Sequence, residues 1–242
     1  MEDAGSGWIW IALCVAQISC AGLSVSVFAW PQEAKVNREE GEFKILVGDK
    51  EIGGEKYTIV DTADSSSSSS VLEFRNPEQL HQKMRFESKL TMDGHYLPRS
   101  YELESDIDGK KGSIIGTFPP NEALFEYRTG DAPRKTGLLT GDKFTILDTN
   151  IFHHFIFLAR LYDFSGEKTQ KFEVVIPQED DSGVLKITRL AKDTITVKGK
   201  RIGAHQLQID SGTLVIQIWV DDKHILHKIA VKDKGLEILR TP

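Results

Sequence analysis

From Glu42 onward the sequence keeps a two-residue rhythm, broken at short intervals by polar turns. Lys83-Met84-Arg85-Phe86-Glu87-Ser88-Lys89-Leu90-Thr91-Met92 alternates polar and apolar residues over most of its length. Asp93-Gly94 then turns the chain, and Arg99–Glu104 brings it back. A period of two sends alternate side chains to opposite faces of a strand. Strands this short, with turn residues between them, predict an antiparallel sheet and exclude βαβ units.

The same text recurs along the chain. Glu42–Val47 reads as a strand, Gly48–Gly54 as a turn and Lys56–Val60 as the return. Asp108–Gly112 is a turn before Ser113–Phe118, and Glu122–Arg128 follows as another strand. Later strands are expected at Lys171–Pro177, Val184–Leu190, Thr194–Lys198, Ala204–Ile209, Leu214–Val220, Ile225–Val231 and Gly235–Leu239. Leu214–Val220 is nearly continuous in apolar character, as in a strand covered on both faces. The run Ser65–Ser70 offers nothing apolar to bury and reads as a solvated loop.

One segment departs from this period. In Ile151–Tyr162, residues Ile151, Phe155, Leu158 and Tyr162 fall at steps of three or four. That spacing predicts a short helix, apolar over most of its surface and so substantially buried. Asp148 or Asn150 is placed to cap its first turn. A buried aromatic strand is the other reading of the same residues.

Ahead of the alternating region, Trp8–Trp30 carries no charge. Val27-Phe28-Ala29 before Trp30-Pro31 has the form of a signal-peptidase site, with cleavage after Ala29. The n-region is acidic at Glu2 and Asp3, and the first lysine is Lys35. Three readings compete: a cleaved signal, a retained membrane span of suitable length, and a lipoprotein with Cys20 behind Gln17-Ile18-Ser19. The expected organisation is a signal or anchor at 1–29, a charged flexible approach at 30–41 and one β-rich domain at 42–242. A periplasmic or secreted location is expected, with membrane anchoring through the N-terminal segment as the alternative. Both cysteines, Cys14 and Cys20, lie within the apolar segment, so a mature chain has no disulfide. The net charge of −6 falls to −4 without Glu2 and Asp3. Lys and Arg are scattered among acids, which excludes a nucleic-acid footprint.

The order of features resembles an uncharacterised family of exported bacterial β-rich proteins. The carriers of that resemblance are Gly41-Glu42-Phe43 with Gly53-Gly54, then Asp148-Thr149-Asn150 opening an apolar helix that ends at Arg160-Leu161-Tyr162-Asp163 before Gly166. Leu214–Trp219-Val220-Asp221-Asp222 and a last strand near Arg240 complete it. Its architecture is similar to that of half-barrel lipoprotein carriers, which implies a curved antiparallel sheet with a helix on its concave side. The expected fold is therefore all-β: an open half-barrel with one short helix packed on it. Lipid carriage is an analogy from fold, and the resemblance implies no catalytic residues.

The residues themselves carry no catalytic constellation. Gly-x-Ser-x-Gly and His-Glu-x-x-His patterns are absent. His153 and His154 are adjacent, about 100° apart on a helix, which suits joint metal ligation poorly. His224 and His227 stand three apart, on opposite faces of a strand. Glu179-Asp180-Asp181 and Asp221-Asp222 read as solvated turns; a calcium loop spaces its oxygen ligands more widely. No enzyme activity, metal or cofactor is expected. Phe152, Phe155, Phe157, Leu158, Leu161 and Tyr162 form the one set suited to line a cavity. The expected ligand-binding residues are Phe152, Phe155, Leu158 and Trp219, and the expected ligand is an apolar small molecule or lipid. The alternative is a structural or interaction module of the envelope with a filled core. Oligomeric state is not encoded legibly.

Overall fold

Fifteen strands line up side by side in one sheet, in a computed structural model that describes residues 36–76, 82–130, 132–197 and 199–241. The expected signal or anchor and its cleavage point lie outside the described residues. Among those described, no helix is long and apolar enough to cross a membrane. The strands are β1 (Asn37–Val47), β2 (Lys50–Asp61), β3 (Ser65–Arg75), β4 (Lys83–Asp93), β5 (Pro98–Ile107), β6 (Lys110–Thr117), β7 (Glu122–Thr129) and β8 (Arg134–Leu139). Then come β9 (Thr145–Ile146), α1 (His154–Leu161), β10 (Thr169–Ile176), β11 (Asp181–Val197), β12 (Lys200–Asp210), β13 (Val215–Val220), β14 (Leu226–Val231) and β15 (Leu236–Thr241).

Each strand pairs antiparallel with its sequence neighbour, except that β8 and β9 do not pair and β9 runs parallel to β10. The first and last strands close on each other, with Ile45 opposite Ile238. The free edges are therefore β8 and β9, which follow one another in the chain. The sheet is curved and unclosed, and the all-β half-barrel expectation holds.

Binary patterning sets the curvature's inner face. Phe86, Ser88, Leu90 and Met92 of β4 are buried while Glu87, Lys89 and Thr91 are exposed. Inward residues from β1 to β15 join helix α1 in one apolar cluster. A smaller cluster of Ile195, Val197, Ala204, Trp219 and Ala230 packs separately. Trp219 and Ala230 alternate with inward Ile218 and Ile229, so this cluster covers the opposite face of the sheet. The expected double coverage of the 214–220 strand is met from Gln217 to Val220.

Several expectations need correction. Strand β1 begins at Asn37, inside the stretch read as a flexible approach, and β2 begins at Lys50, so Gly53-Gly54 lies within a strand. A Cβ at Gly53 would collide with the Glu73 carbonyl of β3, and one at Gly54 would lie 2.8 Å from the Phe43 carbonyl of β1. The double glycine lets β2 sit tightly between its neighbours, beside the register shift at Ile45/Leu46. Strands β8 and β9 had no counterpart in the sequence reading, and β11 runs unbroken, apart from a register shift, through two expected strands.

The serine run is the largest correction. Ser65–Ser70 is the first half of β3, with Ser66, Ser68 and Ser70 buried. The small side chains face the sheet interior where the helix approaches: Ser68 Oγ lies 3.1 Å from His153 Nε2, and Ser70 bonds Ser88 across the strand pair. Loop composition was overridden by tertiary packing, because a larger inward residue has no room there.

The helix is shorter than expected, and it is capped from elsewhere. Neither Asp148 nor Asn150 supplies a side-chain cap. Instead Glu55 Oε2 of β2 accepts the N–H groups of Phe152 at 2.9 Å and His153 at 3.0 Å. A carboxylate there answers the unpaired donors and positive end of the helix.

Candidate functional site

Helix α1 fills the interior, and one cavity lies beyond its end. At the last turn Arg160 joins the rim of the sheet, pairing with Glu39 at 2.7 Å and Asp61 at 3.1 Å. Past Leu161 a cavity of about 730 Å³ opens between the β4–β5 turn, the β8–β9 connection and β10. Tyr96, Leu97, Phe144, Leu161 and Phe172 supply its apolar wall. Its polar wall holds Asp93, His95, Asp142, Lys143, Thr145, Lys171 and Glu173.

The electrostatics of this wall are mixed. Burial draws the Asp93 carboxyl upward, but the Leu97 and His95 N–H groups and Arg99 hold it below its usual value. Glu173 accepts the Gly141 N–H at 2.7 Å. Among the described residues, Lys143, Lys171 and Asp142 have no ion-pair partner. Thr145 is 2% exposed, and its hydroxyl has no hydrogen-bond partner among the described residues. A buried hydroxyl without a partner is costly; being inaccessible, it is not open to the cavity.

A second cleft of about 670 Å³ lies at the opposite rim, around Phe74 and Met84. Its wall includes Glu73 and Arg85, already paired with each other, and it is set apart from the helix.

The residues expected to line a pocket are divided by the fold. Phe152, Phe155 and Leu158 come together on the helix and are buried in the main core. Trp219 does not join them; it lies in the cluster on the opposite face, with its indole N–H 3.3 Å from Asp193 Oδ2. Leu161 is the helix residue that reaches the cavity. Tyr96, Phe144, Thr145 and Phe172 were missed, because single aromatics in turns and short strands carry no periodic signal.

Behind the helix start lies a polar cluster that the sequence did not announce. Both adjacent histidines are fully buried, since the sheet and core surround the helix on all sides. His153 Nδ1 meets Glu55 Oε1 at 2.7 Å, and both side chains are inaccessible. The Asp148 N–H donates to His154 Nδ1 at 3.2 Å, leaving His154 Nε2 without a partner among the described residues. Tyr101 donates its hydroxyl to Asp148 Oδ2, and the N–H groups of Thr149 and Gln178 donate to Oδ1. Burial pushes the Asp148 carboxyl up to about 6. Burial, with His153 beside it, pushes His154 well below the usual imidazole value. Burial and the Asp148 charge push the Tyr101 phenol well above its own. Such shifts accompany catalytic groups, yet among the described residues none of the main cavities is lined by this cluster. The cluster anchors the helix.

Among the described residues no group of three or more metal-ligating side chains converges. His227 Nε2 lies 2.9 Å from Asp221 Oδ2, and the His224 ring packs edge-on against Phe164. Asp180, read as part of a solvated turn, instead accepts Thr136 at 2.6 Å, Arg134 at 2.6 Å and Tyr127 at 3.1 Å.

No protein-family model matches the chain, and no curated protein matches it. Its fold is similar to that of a solved beta-barrel-like protein of the domain of unknown function DUF1849 from Brucella abortus. The two share 10% identity at a TM-score of 0.53, over 86% of this chain and 95% of that one. A DUF1089 family protein from Pseudomonas aeruginosa aligns at 11% identity and a TM-score of 0.46, over 71% of this chain and 86% of that one. At these identities the first likeness establishes the fold alone: a β-barrel-like architecture of uncharacterised function.

Proposed function

We propose that this is a non-enzymatic domain of the cell envelope, exported to a periplasmic or secreted location, that binds an apolar ligand or lipid at the rim cavity. The carrying observation is the cavity of about 730 Å³ with its wall of Tyr96, Leu97, Phe144, Leu161 and Phe172. Its size falls within the roughly 300–1,000 Å³ of small-molecule sites, and its apolar wall stands beside polar groups that could orient a ligand's polar end. Export is supported by the uncharged Trp8–Trp30 segment with Ala29 at a cleavage-compatible position, and by the lack of cysteine beyond Cys20.

The test is uptake of an environment-sensitive fatty-acid probe by the full chain. Fluorescence enhancement is expected with the wild type and is expected to fall about tenfold or more in apparent affinity in Phe172→Glu, which places a charge in the apolar wall. Absence of uptake by the folded wild type, or equal uptake by both proteins, overturns the reading.

A further inference from the structure

The rim cavity follows a strand edge, and that edge is unpaired. Three consecutive residues of β10, Lys171, Phe172 and Glu173, line it. Consecutive strand residues point to opposite faces, so a space touched by all three lies along the edge of β10. Strand β9 covers that edge only at Val174 and Val175, opposite Thr145 and Ile146. Going backwards along the chain, Asp142 and Lys143 bend away, and the cavity occupies the place where β9 would have continued.

Backbone direction can be read from two hydrogen bonds. Leu147 N–H donates to the Val175 carbonyl, so Val175 faces the β9 side. Arg189 N–H, at the end of the β11 ladder, donates to the Lys168 carbonyl, so Lys168 faces β11. Backbone groups alternate between the two edges of a strand. Gln170, Phe172 and Val174 therefore bond β11, while Thr169, Lys171 and Glu173 present their N–H and C=O groups to the β9 side. At Lys171 no strand receives them among the described residues. An exposed edge of this kind is a template for another chain.

From this juxtaposition we infer that the cavity is a strand-addition site: an extended segment of another polypeptide pairs with β10 at Lys171 and continues the line of β9. This rests on the rim cavity being a binding site and goes beyond the apolar ligand proposed for it. Phe144 and Phe172 receive an apolar side chain of the guest. Lys143 and Lys171 on one hand and Asp142 on the other suit a chain carrying both signs of charge. Main-chain bonds supply affinity and the side-chain pockets supply selectivity in recognition of this type.

The experiment selects a displayed random heptapeptide library on the full chain, with Lys171→Ala and Lys171→Pro proteins as comparators. Proline removes the N–H that faces the cavity and leaves the β11 ladder intact, because Gln170 and Phe172 carry that ladder. Enriched peptides should bind wild type and Lys171→Ala alike, and Lys171→Pro about tenfold or more weakly. Amide exchange on the wild type gives a readout independent of any variant's folding: the Lys171 amide should exchange faster than those of Gln170 and Phe172, and should slow when peptide binds. Lack of enrichment, equal binding by Lys171→Pro, or an unchanged Lys171 amide overturns the inference. Uptake of the fatty-acid probe without peptide enrichment leaves the cavity as the binding site and removes strand addition. Failure of both removes the cavity as well.

Discussion

His154 and Asp148 sit within one buried cluster and pull the pH dependence of stability in opposite directions. His154 is held well below its ordinary 6.5 by burial, so its folded form is neutral. Its contribution is complete above pH 6.5 and is lost as the pH falls, because the unfolded chain takes up the proton. Asp148 is raised from 3.8 to about 6. Its contribution is present below pH 3.8 and is lost as the pH rises to about 6, because the unfolded chain gives up the proton first. Between these limits each group alone imposes a slope of up to about 1.4 kcal/mol per pH unit, and the two oppose each other. Asp148→Asn removes one member. Denaturant midpoints of that variant should fall steadily from pH 6 to pH 4, while the wild type changes little beyond what its other carboxylates impose. Parallel profiles for the two proteins would dismiss the opposed pair.

At the scale of the element, the helix and β3 fit one another. The helix is apolar almost all round, which suits only a position enclosed by sheet and core. A third strand made of serines gives it room. Ser68 then does a second job by meeting His153, whose other nitrogen meets Glu55. Ser68→Val should overpack this wall and strip a buried imidazole of a partner, at a cost of about 1–3 kcal/mol. Ser69→Val, one residue on and exposed, should stay within about 0.5 kcal/mol, since a β-branched residue suits a strand. Denaturant melts of the two variants make the comparison. Equal effects would mean that Ser68 is not packed against the helix as the inward parity of β3 requires.

For the whole molecule the decisive feature is the seam. Fifteen strands curve until β8 and the β9–β10 edge come within side-chain reach, without a backbone ladder between them. Asp180 bridges the gap by accepting from Arg134, Thr136 and Tyr127, and the Tyr127 hydroxyl also donates to the Pro177 carbonyl at 2.8 Å. The Arg134 guanidinium lies over the Tyr127 ring. Edges held by side chains are the places where a sheet opens first. Asp180→Ala should cost about 1–3 kcal/mol and raise amide exchange in β8 before the paired strands β3 and β4 respond. Exchange that rises uniformly across the sheet would mean that the seam opens only with global unfolding.

The sequence by itself determined the class of fold, the period of most strands and the existence of a single apolar helix. Those are consequences of local alternation and turn chemistry, and each is written within a few residues of where it acts. It also placed Phe155 and Leu158 on one buried helix face, since helical spacing alone brings them together. Tertiary structure decided the rest. Ser65–Ser70 became a strand because a helix far along the chain needed small neighbours, and Glu55 became its cap because β2 runs past its first turn. Trp219 left the expected site because a strand sends alternate residues to opposite faces and the helix occupies only one. The cavity at Lys171 exists because β9 stops after two residues, and where a strand stops is set by how the sheet's two edges meet.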